Sequence, residues 1–191
     1  PPPAPRHGAR APGARPGARR PAAGVHATGQ VAHADISRAS LEQRSLGGRP
    51  SSLVRRLAKL LDDDVRVFSV REVPMLFDAR FAALSRSYTY RVTTNPAGAL
   101  PTRARDTAVW GKPVDIEPMP LVADARLGLH SGATSGKPRE HATTIREVSS
   151  FRWGEASTDA ERDLYEAHIT ADAFCWTLVR ALTAASLPLG E

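Results

Sequence analysis

Two strand-forming runs, residues 143–153 and 164–171, flank a polar loop, 154–162, and this pair limits what the chain can fold into. Short runs rich in β-branched and aromatic residues, separated by a polar connection, read as antiparallel neighbours in a sheet. Asp172 follows at once and is a candidate cap for a helix over 173–186. Phe174, Leu178, Ala181, Leu182 and Ala185 form an apolar stripe on that helix, which needs a sheet face to cover it.

Upstream, residues 85–92 read as a further strand. Tyr88, Tyr90 and Val92 share one face, and Ser87, Thr89 and Arg91 the other. Taken alone, the two tyrosines are half-buried strand residues that pack a core. Residues 65–73, rich in Val and closed by Pro74, are predicted as a strand. Residues 107–110 are predicted as a short one, and residues 30–36 as a half-buried one. Helices are expected at 37–46, stopped by Gly47-Gly48, from Pro50 to Leu61, and from Asp115 to about Gly128. Residues 130–141 are predicted as a loop. Arg55, Arg56 and Lys59 lie off the apolar stripe of the second helix, where a solvated face is the default reading.

The first 21 residues are almost wholly Pro, Ala, Arg and Gly. Such a segment buries too little apolar surface to offset its ordering entropy, so it is predicted to be disordered. It also carries Arg6, Arg10, Arg15, Arg19 and Arg20 before the first acid, Asp35. Much of the net charge of +6 therefore belongs to a tail, whose bland reading is a solvated arm. The pI near 10.2 still suits a polyanionic partner such as RNA. A lone cysteine, Cys175, leaves no internal disulfide and no cysteine-based zinc site. It falls on the apolar side of its helix and reads as a small buried hydrophobe rather than a thiol nucleophile. His26 and His33 lack a third ligand at suitable spacing, and Asp62-Asp63-Asp64 is weak as a Mg²⁺ site, so no metal is expected. Neither a membrane-spanning run nor a signal peptide is visible, and a reducing, cytoplasmic setting is expected.

Three stretches resemble one family in the right order. Ala23-Gly24-Val25-His26-Ala27, continued by Gly29-Gln30-Val31, is similar to the catalytic loop of the tRNA pseudouridine synthase A family, tRNA pseudouridine(38-40) synthase. That loop reads Gly-Arg-Thr-Asp-Ala-Gly-Val-His-Ala and then Gly-Gln-Val. Phe77-Asp78-Ala79-Arg80-Phe81 through Tyr88-Thr89-Tyr90-Arg91-Val92 resembles its second motif, and Phe174-Cys175-Trp176-Thr177-Leu178-Val179-Arg180 its third. The resemblance covers about Arg20 to Glu191. Arg20 falls on the family arginine that opens the base stack, Pro21 on the threonine, and Ala22 on the catalytic aspartate. Tyr88 falls on the tyrosine that packs under the uracil, and Arg180 on the arginine that pairs with the aspartate. By the same resemblance His26 and Val179 belong to the substrate-binding set. The frame of an active site is present without its central carboxylate. Arg180 is then expected to stand as a partly buried cation without its partner.

The resemblance implies an α+β fold, with antiparallel sheets flanked by helices and a positive cleft between two halves. The expected division is a tail at 1–21, a first half at 22–105 and a second at 106–191. It implies isomerisation of uridine in the tRNA anticodon stem-loop, with no cofactor, and a homodimer. The family's first strand, helix and second strand have no likeness in residues 1–21, and its glycine-rich turn and final strand none after Pro188. Residues 131–135 lack the aromatic anchor usual there, and the match resumes at Ala142-Thr143-Thr144-Ile145-Arg146. The fold is expected to be incomplete at both ends, the N-terminal part lost or frame-shifted, and the chain inactive. Two alternatives stay open: a non-catalytic tRNA- or RNA-binding remnant, and an unstable product of a degraded or frame-shifted gene.

Overall fold

The computed structural model describes residues 24–131, 145–174 and 178–190. They fall into two compact units, one of Thr28–Ala82 and the other of 24–27 with 83–190. The fold is α+β.

The larger unit holds a mixed five-stranded sheet, made of β1 (Arg86–Thr93), β2 (Thr107–Val109), β3 (Gly128–Ser131), β4 (Ile145–Glu155) and β5 (Leu164–Ala171), in the order β2-β1-β5-β4-β3. β4 and β5 are the antiparallel pair expected from their sequences. β5 is also antiparallel to β1, from Arg86 opposite Ala171 to Thr93 opposite Leu164. β2 runs parallel to β1, and β3 antiparallel to β4. His130 and Ser131 thus belong to an edge strand and not to the predicted loop, whose residues 132–141 lie outside the described ones. A bulge places Ser149 between Val148 and Ser150. The extra residue occupies its hydroxyl by donating to the Thr170 carbonyl at 3.2 Å. At the same end the Asp172 carboxylate accepts the Glu147 and Ala173 N–H groups, at 3.0 and 2.6 Å. Asp172 therefore clamps the strand ends, and the following helix is described only from Leu178.

Two helices, here numbered α3 (Met119–Asp124) and α4 (Leu178–Ser186), lie in this unit. The predicted start at Asp115 is too early. Its carboxylate takes the Glu117 N–H at 3.0 Å, and Pro118 and Pro120, which lack donors, delay the helix. Met119, Ala123, Leu178, Leu182 and Leu187 pack with Val92, Val148, Phe151, Trp153, Ala167 and Ile169 in one core. Buried hydroxyls there are satisfied locally: Thr183 donates to the Val179 carbonyl at 3.0 Å, and Ser186 to that of Leu182 at 2.9 Å. The other face of the sheet is polar. Ser87 meets Thr170 at 2.9 Å, Thr89 meets His168 at 3.2 Å, and Arg91 bridges Glu166 and Asp106. Each of the first three pairs sits directly opposite in the register, so side-chain bonds follow the ladder.

Tyr165 borders this core. Burial, and then the carboxylates of Glu155, Asp163 and Asp115, hold its phenol above the ordinary value of 10.0. In the unfolded chain those influences are gone. Above the ordinary value the unfolded state loses the proton while the native state keeps it. The contribution is thus complete below the ordinary value and is lost as pH rises through the native one. Tyr165→Phe is expected to make the alkaline fall in melting temperature shallower. Identical slopes for the two proteins would refute this.

The smaller unit is thinly packed. It has α1 (Arg38–Leu41), capped by the Ser37 hydroxyl, and α2 (Leu53–Leu57), entered through a 3₁₀ turn at Pro50–Ser52. Both helices are shorter than predicted. Leu46 is the one buried residue among those described in this unit. Residues 65–73 form no strand. No neighbouring strand pairs with them among the described residues, and Phe68 is 85% exposed. Likewise only His33 in 30–36 makes a strand-like bridge. An alternating sequence favours extended backbone, but a strand also needs a partner for its N–H and C=O groups.

Candidate active-site residues

Arg20, Ala22 and Ala23 lie outside the described residues, as does Cys175. The rest of the first motif starts at Gly24, whose φ of +77° makes the turn that glycine allows without strain. His26 follows and is exposed; its Nε2–H donates to the Arg105 carbonyl at 3.1 Å, in the segment that leads into β2. His26 is thereby tied to backbone of the larger unit.

Tyr88 lies on the core face of β1 and is half-buried. The Phe174 ring meets it edge-on, with centroids 4.7 Å apart and planes at 78°. The second and third motifs therefore touch through an aromatic pair. Val179 is half-buried and packs on the same core as Tyr88. Arg180, the next residue along α4, is exposed and is not without a partner. The expectation of a partly buried, unpaired cation is corrected. A helix directs adjacent residues about 100° apart, so Val179 packs on the core while Arg180 faces water.

In the smaller unit, the continuation of the first motif is bonded to the start of the second. The Ala79 N–H donates to His33 Nδ1 at 2.9 Å, and the His33 ring stands edge-on to Phe77 at 6.3 Å. Asp78 holds the same turn, its carboxylate accepting the Arg80 N–H at 2.8 Å. His33 is thus a structural histidine with a backbone partner. Sequence reasoning set it beside His26 as a metal pair only to reject it. Among the described residues, no group of three His, Cys, Asp or Glu side chains is arranged to hold a metal ion. No helix among them is long and apolar enough to cross a membrane. The residues missed at the sequence level are His33 as an anchor and Phe174 as the partner of Tyr88. Phe174 carried a signal, since it opens the apolar stripe of the last helix.

No family model matches the chain. Individual relatives do. The tRNA pseudouridine synthase A of Corynebacterium glutamicum is 58% identical over 149 residues, covering 78% of this chain and 52% of the relative. That of Mycobacterium leprae is 44% identical over 73% of this chain and 47% of its own length. That of Frankia casuarinae is 42% identical over 76% and 50%. The chain spans about half the length of the curated relatives it matches.

Proposed function

The chain belongs to the tRNA pseudouridine synthase A family, and on that premise we propose that it binds the tRNA anticodon stem-loop without converting its uridines. The observation that carries this reading is the pairing of a kept platform with a lost nucleophile. Tyr88 is held half-buried against Phe174, and by the family resemblance its ring is the candidate surface for a base to stack on. Ala22 stands where the family has its attacking carboxylate. Arg20 is the candidate for opening the stack, Arg180 for the cation that would have faced the aspartate, and His26 and Val179 for contacts with the substrate. Domain halves at 22–105 and 106–191, a homodimer, and a cytoplasmic setting belong to the same reading, as does chemistry without a cofactor. The rival, an unstable product of a damaged gene, draws support from the sparse burial in Thr28–Ala82.

Equilibrium binding of an anticodon stem-loop across a salt series tests the proposal. Affinity is expected to fall steeply with salt, because Arg and Lys displace counterions from phosphate. Deleting residues 1–15, which removes Arg6, Arg10 and Arg15, should weaken binding while leaving the preference for the stem-loop intact. Loss of all preference on deletion would assign recognition to the tail and overturn the role given to Tyr88. Absence of a cooperative melt in the same samples would favour the unstable product.

A further inference from the structure

Between Ile36 and Leu61 the chain holds six cations, Arg38, Arg44, Arg49, Arg55, Arg56 and Lys59, against one carboxylate, Glu42. The fold gathers part of this excess. Gly47 and Gly48 take φ of +57° and +71°, a left-handed turn that larger residues resist. The chain reverses there, and residues 43–45 come alongside α2. Gln43, Ser45, Ser52, Arg55, Arg56 and Lys59 line one open groove of about 440 Å³.

No carboxylate lines the groove. Of the acidic run Asp62-Asp63-Asp64, Asp63 is bound to Arg66 at 2.9 Å. Arg56 reaches across, its Nη1 donating to Gln43 Oε1 at 3.3 Å and lying 3.5 Å from Ser45 Oγ. Ser52, Arg55, Arg56 and Lys59 recur at intervals of three and four along α2 and the turn that continues it, so they share a side. Like charges at that spacing repel one another, and an anion between them removes the repulsion.

We infer that this groove takes a phosphodiester of an RNA backbone. Arg56 presents a fork oriented by Gln43, Arg55 and Lys59 supply charge, and the Ser45 and Ser52 hydroxyls are donors. An open groove suits a polyanionic chain that enters and leaves, where a free phosphate would want an enclosed nest. The inference rests on the RNA-binding reading above and deepens it.

The test uses the full chain with a labelled anticodon stem-loop and, in parallel, an unrelated RNA duplex of equal length. The slope of log affinity against log salt is measured for each. The double variant Arg55→Gln, Lys59→Gln is expected to reduce the slope by about 1 to 2 for both RNAs. Arg55→Lys, which keeps the charge, should retain the slope, as should Arg66→Gln, which removes a cation outside the groove. An unchanged slope in the double variant overturns the inference, and so does an equal reduction in Arg66→Gln. If the unmodified chain binds both RNAs alike while the double variant still lowers the slope, the groove stands and the stem-loop preference falls. If neither RNA binds, both fall.

Discussion

Incubated with tRNA tritiated at uracil C5, the chain is expected to release no tritium above background, while an intact family member releases it freely. By the resemblance the reaction passes through a covalent bond to a carboxylate at the position of Ala22, where there is only a methyl group. Removing one hydrogen-bond donor from an active site costs roughly two to three powers of ten in rate, whereas removing a nucleophile that acts as part of a unit costs on the order of a millionfold. The nearest acid in sequence, Asp35, lies near the end of the 30–36 run. A carboxylate that far along the chain is not expected to take the nucleophile's place. Ala22→Asp supplies the group, but Pro21, which by the resemblance falls on the family threonine, has a ring that fixes φ beside the new side chain. Little activity is expected to return. Release by the unmodified chain would show that Ala22 is not the position of the nucleophile.

Phe151→Ala is expected to lower stability by about 3–5 kcal/mol. Phe151 is 2% exposed on β4, opposite Ile169 in the register, and its ring lies 6.4 Å from that of Trp153. Truncation removes apolar contacts on both sides and leaves a cavity that a strand in the middle of a ladder is poorly able to collapse. The melt should shift downward on the order of 10 °C. Tryptophan fluorescence reports it well, because Trp110 and Trp153 both belong to the larger unit. A shift of a degree or two would mean that this core is not the cooperative centre of the unit.

Some of this was legible in the sequence and some was not, for reasons that differ by element. Leu164–Ala171 was bounded to the residue, and Arg86–Thr93 to within one, because alternation between a core face and a polar face is written locally. Residues 65–73 carry the same apolar richness and form no strand, because a partner edge is a property of the fold. Tyr88 was singled out by resemblance alone. Its contact with Phe174 was not, since the two lie far apart in sequence and meet only when β1 and the segment after β5 come together. His26 likewise finds a carbonyl at Arg105 that no local pattern signals. The cations of α2 were visible one by one. Their gathering depends on a glycine pair whose backbone geometry returns Gln43 and Ser45 to them.

The strand order also sets a schedule for synthesis. β1 lies between β2 and β5, and its full-length partner, β5, is made only after β2, α3, β3 and β4. At roughly 5–20 residues per second the ribosome takes several seconds to cover that gap. During it, the whole β5-facing edge of β1 has no neighbour, and Tyr88, Tyr90 and Val92 have no sheet to pack with. The nascent chain therefore passes through a window in which its most regular hydrophobic strand is open to any other extended segment. Residues 65–81, with Phe68, Met75, Leu76 and Phe81 all more than two-thirds exposed, emerge just before it and are the nearest such segment. The strand order thus makes translation speed through residues 94–163 a factor in how much of this chain folds.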